Sequence, residues 1–135
     1  MRRIVLDTNC LLQMLSSHSP YYAAWKALQN EQYALCVSND ILTEYREIIS
    51  QKANPAVADN VIALILHHPF TELFDPRFHF GFITQDVDDN KFVDCAIIAN
   101  ADYIVSNDNH FSELKQLPTE FQVRVLTLDE FVDTL

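Results

Sequence analysis

Residues 2–7, Arg-Arg-Ile-Val-Leu-Asp, place an acid directly after a short apolar run. Such a run is typical of a strand buried within a parallel sheet. A second acidic segment, residues 86–94 (Asp-Val-Asp-Asp-Asn-Lys-Phe-Val-Asp), stands far along the chain beside another apolar stretch. Carboxylates that folding brings together in apolar surroundings need a cation. We expect Mg²⁺ or Mn²⁺, because these hard ions prefer oxygen ligands.

The pattern on either side of these segments predicts the fold. Short apolar runs alternate with amphipathic ones, which is typical of β-α units around a parallel sheet. We predict an α/β fold with one domain over residues 1–135, in which a central parallel sheet of about five strands is flanked by helices in three α/β/α layers. The predicted strands are 2–6, 33–37, 70–74, 102–106 and 123–127. The predicted helices are 10–15, 20–31, 39–51, 55–67, 89–100, 109–115 and 128–134.

Local signals support several of these boundaries. Ser38 has the residue type of an N-cap, and Pro55 suits the first turn of its helix after Asn54. The segment 75–86 contains a proline and Gly81, the one glycine of the chain, and we predict a loop there.

Composition and charge limit the classes of function. The formal net charge of −10 argues against the basic surface of a protein that grips nucleic acid by counterion release. A bound divalent ion would offset part of this charge, and a basic partner protein would be another source of positive charge. Three cysteines without Cys-x-x-Cys spacing predict buried free thiols in a reducing compartment. No apolar stretch reaches the roughly 18 residues of a membrane span, so we expect a cytoplasmic protein with no membrane partner.

Four acids are candidates for the site. Asp7 closes the first strand and Asp108 follows the fourth, and ligands bind at such strand ends in open α/β sheets. Each of these two alone could equally be a helix cap or a turn former. Glu44 lies at the edge of the apolar stripe of helix 39–51, where a cation or an ion pair with a neighbouring lysine or arginine would satisfy it. Asp94 is the one acid in an otherwise apolar stretch of helix, so it must be paired.

Other polar residues carry weaker signals. Asp88 and Asp89 are placed to cap the helix over 89–100. Lys91 reads as a solvated lysine, with contact to a substrate phosphate as the alternative. The five histidines show no metal-ligand spacing with cysteine. The sequence contains no Gly-rich phosphate loop and no Gly-x-Ser-x-Gly elbow, which excludes nucleotide-dependent and acyl-transfer classes.

Four segments, taken in order, resemble a known family. They are residues 4–9 (Ile-Val-Leu-Asp-Thr-Asn), 37–45 (Val-Ser-Asn-Asp-Ile-Leu-Thr-Glu-Tyr), 86–96 (Asp-Val-Asp-Asp-Asn-Lys-Phe-Val-Asp-Cys-Ala) and 101–108 (Ala-Asp-Tyr-Ile-Val-Ser-Asn-Asp). In this order and spacing they resemble a PIN domain of the bacterial and archaeal branch that supplies toxin components of type II toxin–antitoxin systems, relatives of the VapC ribonucleases. The likeness spans nearly the whole chain, including residues 125–131.

The resemblance implies a PIN-like domain and assigns roles to named residues. The acids that match the catalytic and metal-binding positions are Asp7, Glu44, Asp94 and Asp108, with Asp89 as a further metal ligand. The polar residues that match positions near the substrate are Thr8, Asn9 and Ser106, to which Lys91 would add a phosphate contact. The chain departs from the pattern after Asp108, where Asn109-His110 replaces a further acid seen in many relatives.

The activity that follows from the resemblance is metal-dependent hydrolysis of RNA phosphodiester bonds, with Mg²⁺ or Mn²⁺ as cofactor. The implied partners are an RNA substrate and a cognate antitoxin protein, and a homodimer through helices near 20–67 is a further hypothesis. The alternative is a non-catalytic PIN-like module that binds RNA or protein, which the negative charge and the departure at His110 favour. Receiver domains and haloacid-dehalogenase-like phosphatases are excluded, because each needs an acid that the segment around Asp7 lacks.

Overall fold

Five parallel strands form the centre of the molecule. The computed structural model describes residues 1–75, 79–83, 87–116 and 123–135. The strands are β1 (Arg2–Leu6), β2 (Tyr33–Ser38), β3 (Glu72–Phe74), β4 (Tyr103–Val105) and β5 (Arg124–Leu126). They form one sheet in the order β3-β2-β1-β4-β5, and every neighbouring pair is parallel. The predicted α/β class and parallel sheet are confirmed, and each strand lies within or overlaps its predicted range.

Six α-helices connect the strands in the described ranges. They are α1 (Thr8–Met14), α2 (Tyr22–Gln29), α3 (Asn39–Lys52), α4 (Pro55–His67), α5 (Asn90–Ala99) and α6 (Leu128–Asp133). None of these helices has the length and apolar character needed to cross a lipid bilayer. A short 3₁₀ turn, Val87–Asp89, leads into α5.

One predicted helix differs in type. The segment predicted as a helix over 109–115 is a 3₁₀ helix, Asn109–Gln116. Its two buried apolar side chains, Phe111 and Leu114, are three residues apart. This spacing matches the three-residue turn of a 3₁₀ helix, on which residues i and i+3 lie one above the other.

The local capping signals are confirmed. The Ser38 side chain accepts a hydrogen bond from the Ile41 backbone N–H at 3.2 Å at the start of α3. Asn54 accepts one from the Val57 N–H at 2.9 Å, and Pro55 is the first residue of α4. Of the predicted loop 75–86, residues 76–78 and 84–86 lie outside the described residues. Within it Gly81 has a φ of 67°, a backbone conformation that glycine adopts without steric cost.

Both faces of the sheet are covered. In β1, the consecutive residues Ile4, Val5 and Leu6 are fully buried, although neighbouring side chains of a strand point to opposite faces. All six residues of β2 are buried as well. This pattern requires packed layers on each side of the sheet, in agreement with the predicted three-layer arrangement. The three cysteines are buried free thiols, as predicted.

A single buried hydroxyl ties α3 to the end of β1. Tyr45 is fully buried, and its hydroxyl donates a hydrogen bond to the Leu6 carbonyl. Leu6 immediately precedes Asp7, and Tyr45 immediately follows Glu44. The bond therefore fixes the position of α3 relative to the strand end where two of the predicted acids lie.

We predict that Tyr45→Phe lowers the free energy of unfolding by about 1–2 kcal/mol, because the Leu6 carbonyl loses a buried hydrogen-bond donor. Urea denaturation of the two proteins measures this difference. Tyr22→Phe is the matched control, since Tyr22 is partly buried against the core and its hydroxyl makes no hydrogen bond to a described residue. Equal losses in the two variants would contradict the assigned role of Tyr45.

Candidate functional site

Two of the predicted acids are linked at the carboxyl ends of neighbouring strands. Asp7 follows β1 and Ser106 follows β4, and these strands pair in the centre of the sheet. The Ser106 hydroxyl donates a hydrogen bond to Asp7 Oδ2 at 2.7 Å and accepts one from the Asp108 backbone N–H at 3.0 Å. Ser106 therefore connects Asp7 to the segment that carries Asp108.

Asp7 is 7% exposed, and its surroundings disfavour the charged form of its carboxyl. Burial raises the pKa of Asp7 above the ordinary value of 3.8, and hydrogen bonds from Ser106 and the Thr8 N–H partly oppose that rise. The negative charges of Asp108 and Glu44 raise it further. Three acids from separate parts of the chain thus act on one another at this strand end.

Glu44 projects from α3 toward two other helices. One of its carboxylate oxygens, Oε1, lies 2.9 Å from Lys91 Nζ of α5. The other accepts a hydrogen bond from the hydroxyl of Thr8, the first residue of α1. The ion pair with a neighbouring lysine, one of the two roles predicted for Glu44, is present. Both carboxylate oxygens therefore have protein partners.

The prediction of a solvated Lys91 is wrong. Its side chain is 17% exposed, and its ammonium group pairs with Glu44. The ammonium also lies 5.6 Å from the centre of the Phe92 ring, a distance at which the ring face attracts a cation. Sequence spacing did not reveal this position, because the partner carboxylate belongs to a helix almost fifty residues earlier.

Asp94 is buried in α5 and is paired, as its apolar surroundings predicted. The side chain is 4% exposed. Its Oδ1 atom accepts a hydrogen bond from the Phe80 backbone N–H at 3.1 Å. Its Oδ2 atom lies 3.3 Å from His79 Nδ1, and the His79 side chain is 76% exposed. The segment 79–83 therefore supplies the partners of this acid.

Two cavities divide the predicted acids between them. The first, of about 600 Å³, is lined by Glu44, Asp94, Lys91 and His79 together with other polar residues of α3 and α5. The second, of about 580 Å³, is lined by Ser106 and Asp108 among others. Asp7 joins the two groups electrostatically, since Glu44 and Asp108 both act on its carboxyl.

The remaining predicted residues lie around this centre. Thr8 is buried and contacts Glu44, whereas Asn9 is exposed on α1. Asp89 is 8% exposed and occupies the N-cap position of α5, but its side chain makes no capping hydrogen bond, contrary to the predicted capping role. Its neighbour Asp88 lines the first cavity. The side chain of His110, where the chain departs from the family pattern, lies outside the described residues.

The carboxylate oxygens of the site are of the chemical type that binds a divalent cation, and in this structure they contact protein groups. Within the described ranges, no three His, Cys, Asp or Glu side chains lie close enough to hold one metal ion. Ser106 contacts Asp7, Lys91 and Thr8 contact Glu44, and segment 79–83 contacts Asp94. Carboxylate oxygens are the donors that Mg²⁺ and Mn²⁺ prefer. A bound cation would exchange for some of these partners.

Sequence reasoning missed the segment 79–83 as part of the site. His79 and the Phe80 amide contact Asp94, which lies fifteen and fourteen residues further along the chain, respectively. Asn90 holds the same segment, because its side chain accepts a hydrogen bond from the Ile83 N–H at 2.8 Å and donates one to the Ile83 carbonyl at 3.0 Å. The one available signal was Gly81, whose position between apolar residues indicated a turn near the acidic run.

Comparison with known proteins assigns the family. The family model described as PIN domain matches residues 3–110. This chain belongs to the PIN domain family. The match runs from Arg3 within β1 to beyond β4, and it includes Asp7, Glu44, Asp94 and Asp108. No curated protein matches the PIN domain described here by sequence.

Solved structures share the fold of this PIN domain at low identity. VapBC2 from Rickettsia felis, bound to a DNA fragment from their promoter, has a TM-score of 0.62 and 18% identity over 93% of this chain and 98% of the other. VapC20 from Mycobacterium tuberculosis, described as a Sarcin-Ricin loop cleaving toxin, has a TM-score of 0.57 and 13% identity over 81% and 92%. DNA-bound VapBC from Salmonella typhimurium has a TM-score of 0.58 and 15% identity over 95% and 99%. At these identities the likeness establishes the fold.

The raised pKa of Asp7 predicts how the stability of the metal-free protein depends on pH. Because Asp7 holds its proton more tightly in the folded state, stability falls as pH rises from the ordinary value of 3.8 through the raised pKa. At neutral pH the ionised carboxylate therefore destabilises the fold. We expect Asp7→Asn to raise the melting temperature at pH 7, by a difference that vanishes as pH approaches 3.

Thermal melts in EDTA across this pH range measure the effect. Asp59→Asn is the control, because Asp59 is exposed on α4 and its ion pair with Arg46, at 3.8 Å, contributes little. If the melting temperature of Asp7→Asn at pH 7 is equal to or below that of the wild type, the ionised Asp7 carboxylate does not destabilise the fold.

Proposed function

We propose that this PIN domain is a metal-dependent ribonuclease that hydrolyses RNA phosphodiester bonds. The observation that carries the proposal is the position of Asp7, which is buried at a central strand end and hydrogen-bonded to Ser106 of the neighbouring strand end. Burial raises its pKa, and the charges of Asp108 and Glu44 raise it further. Such carboxylates call for a cation, and nuclease chemistry at a phosphate is the common use of a cation held by oxygen ligands. Membership of the PIN domain family supports this assignment.

The residues have separate tasks in the proposed reaction. A bound Mg²⁺ or Mn²⁺ would lower the pKa of a coordinated water and offset the charge of the scissile phosphate. Asp7, Asp94 and Asp108 would hold the ion, with Asp89 as a further ligand, and Glu44 would bind it or orient the attacking water as a base. Ser106 and Thr8 fix the carboxylates of Asp7 and Glu44 through their hydroxyl groups.

Substrate contacts would come from the cavity that Lys91 lines and from Asn9, which is exposed on α1. The Lys91 ammonium, which pairs with Glu44 in this structure, would attract a phosphate bound in this cavity. With a net charge of −10, general attraction to a polyanion is weak, so affinity for RNA must come from such local contacts. The M. tuberculosis neighbour, whose described action is cleavage of the Sarcin-Ricin loop, supports RNA as the substrate class.

We further propose that the chain is the toxin of a type II toxin–antitoxin pair. Two of its structural neighbours are VapBC assemblies. The acidic surface of this chain would favour a basic antitoxin segment, since opposite charges steer association. We place the activity in the cytoplasm, where three unpaired buried thiols stay reduced. A homodimer through α2–α4 stays a prediction, which the mass in size-exclusion chromatography at several concentrations would test.

Cleavage of RNA should depend on both metal and Asp94. We expect Mg²⁺ or Mn²⁺ to support cleavage of a structured RNA, EDTA to abolish it, and Asp94→Asn to lower its rate on the order of 100-fold or more. The substitution keeps an oxygen that can accept the Phe80 N–H, so the fold should persist. Asp133→Asn, at the end of α6, is the control. Retained cleavage in Asp94→Asn would contradict the role proposed for Asp94, and no cleavage by the wild type with either metal would favour the non-catalytic alternative.

Metal should also stabilise the fold, because it binds the folded arrangement of carboxylates and not the unfolded chain. At an Mn²⁺ concentration 100 times the dissociation constant, the free energy of unfolding should rise by about 2.7 kcal/mol. Differential scanning fluorimetry with and without Mn²⁺ measures the shift. NaCl at matched ionic strength is the control, because it reproduces the effect of salt without a divalent ion. An unchanged melting temperature would mean that these acids hold no ion.

A further inference from the structure

Two stacked aromatic side chains lie on the segment that contacts Asp94. The rings of Phe80 and Phe82 are nearly parallel, with an interplanar angle of 13° and centroids 5.4 Å apart. Both residues are partly exposed, and Phe82 also packs against the hydrophobic core. Partly exposed aromatic rings are the surfaces on which proteins stack unpaired nucleobases.

Four contacts hold this segment in place. The Phe80 N–H and His79 Nδ1 contact the buried Asp94 carboxylate at 3.1 and 3.3 Å. At the other end of the segment, the Asn90 side chain makes two hydrogen bonds with the backbone of Ile83. Because both ends are anchored, the rings are held in position before a ligand binds, which lowers the entropic cost of binding.

The two rings lie beside the first cavity. His79 and Gly81 line that cavity and alternate with the two phenylalanines along the segment. Asp94 lines it as well, and its contact with the Phe80 N–H places the Phe80 ring within one side-chain length of the cavity wall. Lys91 is the one lysine or arginine among the described residues that line this cavity. A positive charge suited to a phosphate and an aromatic surface suited to a base are therefore found at the same part of the molecule.

The charge of the chain makes stacking a necessary source of affinity for RNA. With a net charge of −10, the release of counterions from phosphates contributes little to binding. Stacking of a base on an aromatic ring requires no positive charge and tolerates any base sequence. Bases in a duplex are stacked on one another and are not available to such rings, whereas the bases of single strands and loops are.

We propose that Phe80 and Phe82 form a stacking platform for an unpaired base of the RNA, and that this platform directs the protein to single strands and loops. Phe80 carries the base, and Phe82 supports the Phe80 ring from the side of the core. This inference rests on the proposed function in one respect, because it takes RNA as the ligand. It requires no bound metal.

RNA binding in EDTA tests the inference without any cleavage. Fluorescence anisotropy with the full chain measures the affinity for a labelled, unstructured RNA strand of about 12 nucleotides, a length within the usual footprint of single-strand binding. The wild type should bind this strand on the order of tenfold more tightly than an abasic oligomer of the same length, which keeps the phosphates and lacks the bases. The duplex of the strand with its complement should bind as weakly as the abasic oligomer.

Substitution of the outer ring tests which residue carries the base. Phe80→Leu keeps an apolar side chain and the N–H that contacts Asp94 but removes the ring, so affinity for the single strand should fall on the order of tenfold, to that of the abasic oligomer. Phe80→Trp restores a ring and should bind at least as tightly as the wild type. Phe70→Leu is the matched control, because Phe70 is 43% exposed but lies between α4 and β3, and it should bind as the wild type does.

Thermal melts show whether each variant is folded. A folded Phe80→Leu protein with wild-type affinity for the single strand overturns the inference and would mean that the two rings serve the core or a protein partner. Equal affinity of the wild type for the single strand, the abasic oligomer and the duplex overturns it as well. If Phe80→Leu does not fold, these comparisons of three ligands still decide, because they use the wild type alone.

The results separate this inference from the function on which it rests. A wild type that binds RNA through its bases and through Phe80, but cleaves none with either metal, upholds the inference while the ribonuclease proposal fails. A wild type that cleaves RNA, although its binding depends on neither the bases nor Phe80, overturns the inference and leaves the ribonuclease proposal standing. A wild type that neither binds nor cleaves RNA overturns both.

Discussion

The burial of β1 in the middle of the parallel sheet is the constraint on which the rest of the structure depends. Pairing with β2 on one side and β4 on the other satisfies the backbone of Arg2–Leu6, and helices cover both of its faces. A strand so enclosed carries the next residue, Asp7, to the edge of the sheet where the carboxyl ends of all five strands converge. The position of the strand alone therefore buries Asp7 largely away from water.

Polar groups of the protein contact the buried acids and satisfy their carboxylate oxygens. Ser106 lies beside Asp7 because β4 is the neighbour of β1, and its hydroxyl satisfies one carboxylate oxygen. Tyr45 fixes α3 to the carbonyl of Leu6, which brings Glu44 within electrostatic reach of Asp7. Lys91 and the segment 79–83 then supply partners to Glu44 and Asp94. The fold tolerates Asp7, Glu44 and Asp94 without a metal because each of these carboxylates contacts a cation or hydrogen-bond donors of the protein.

Because protein groups already occupy the carboxylates, binding of a metal would be coupled to the contacts that these groups make. The donors of Ser106, Lys91 and segment 79–83 come from three different elements, so exchange of a protein partner for an ion at one carboxylate changes the charge felt by the others. The loop that carries Gly81 contributes a backbone N–H to Asp94 and is itself held by Asn90. The charges of Asp7, Glu44 and Asp108 act on one another, although these three acids belong to different parts of the chain.

By itself the sequence determined the fold class, the five strands and the buried thiols, and it predicted which acids would form the site. Those follow from local rules: apolar runs such as Ile4–Leu6 demand burial, Ser38 and Asn54 cap the helices that follow them, and an acid such as Asp94 amid apolar neighbours must be paired. Tertiary structure alone decided the partners, because Lys91 with Glu44, His79 with Asp94 and Ser106 with Asp7 are separated by 47, 15 and 99 residues. Periodicity reports which face a side chain takes, whereas an ion pair depends on the distance between two elements, and that distance is set by how the whole core packs.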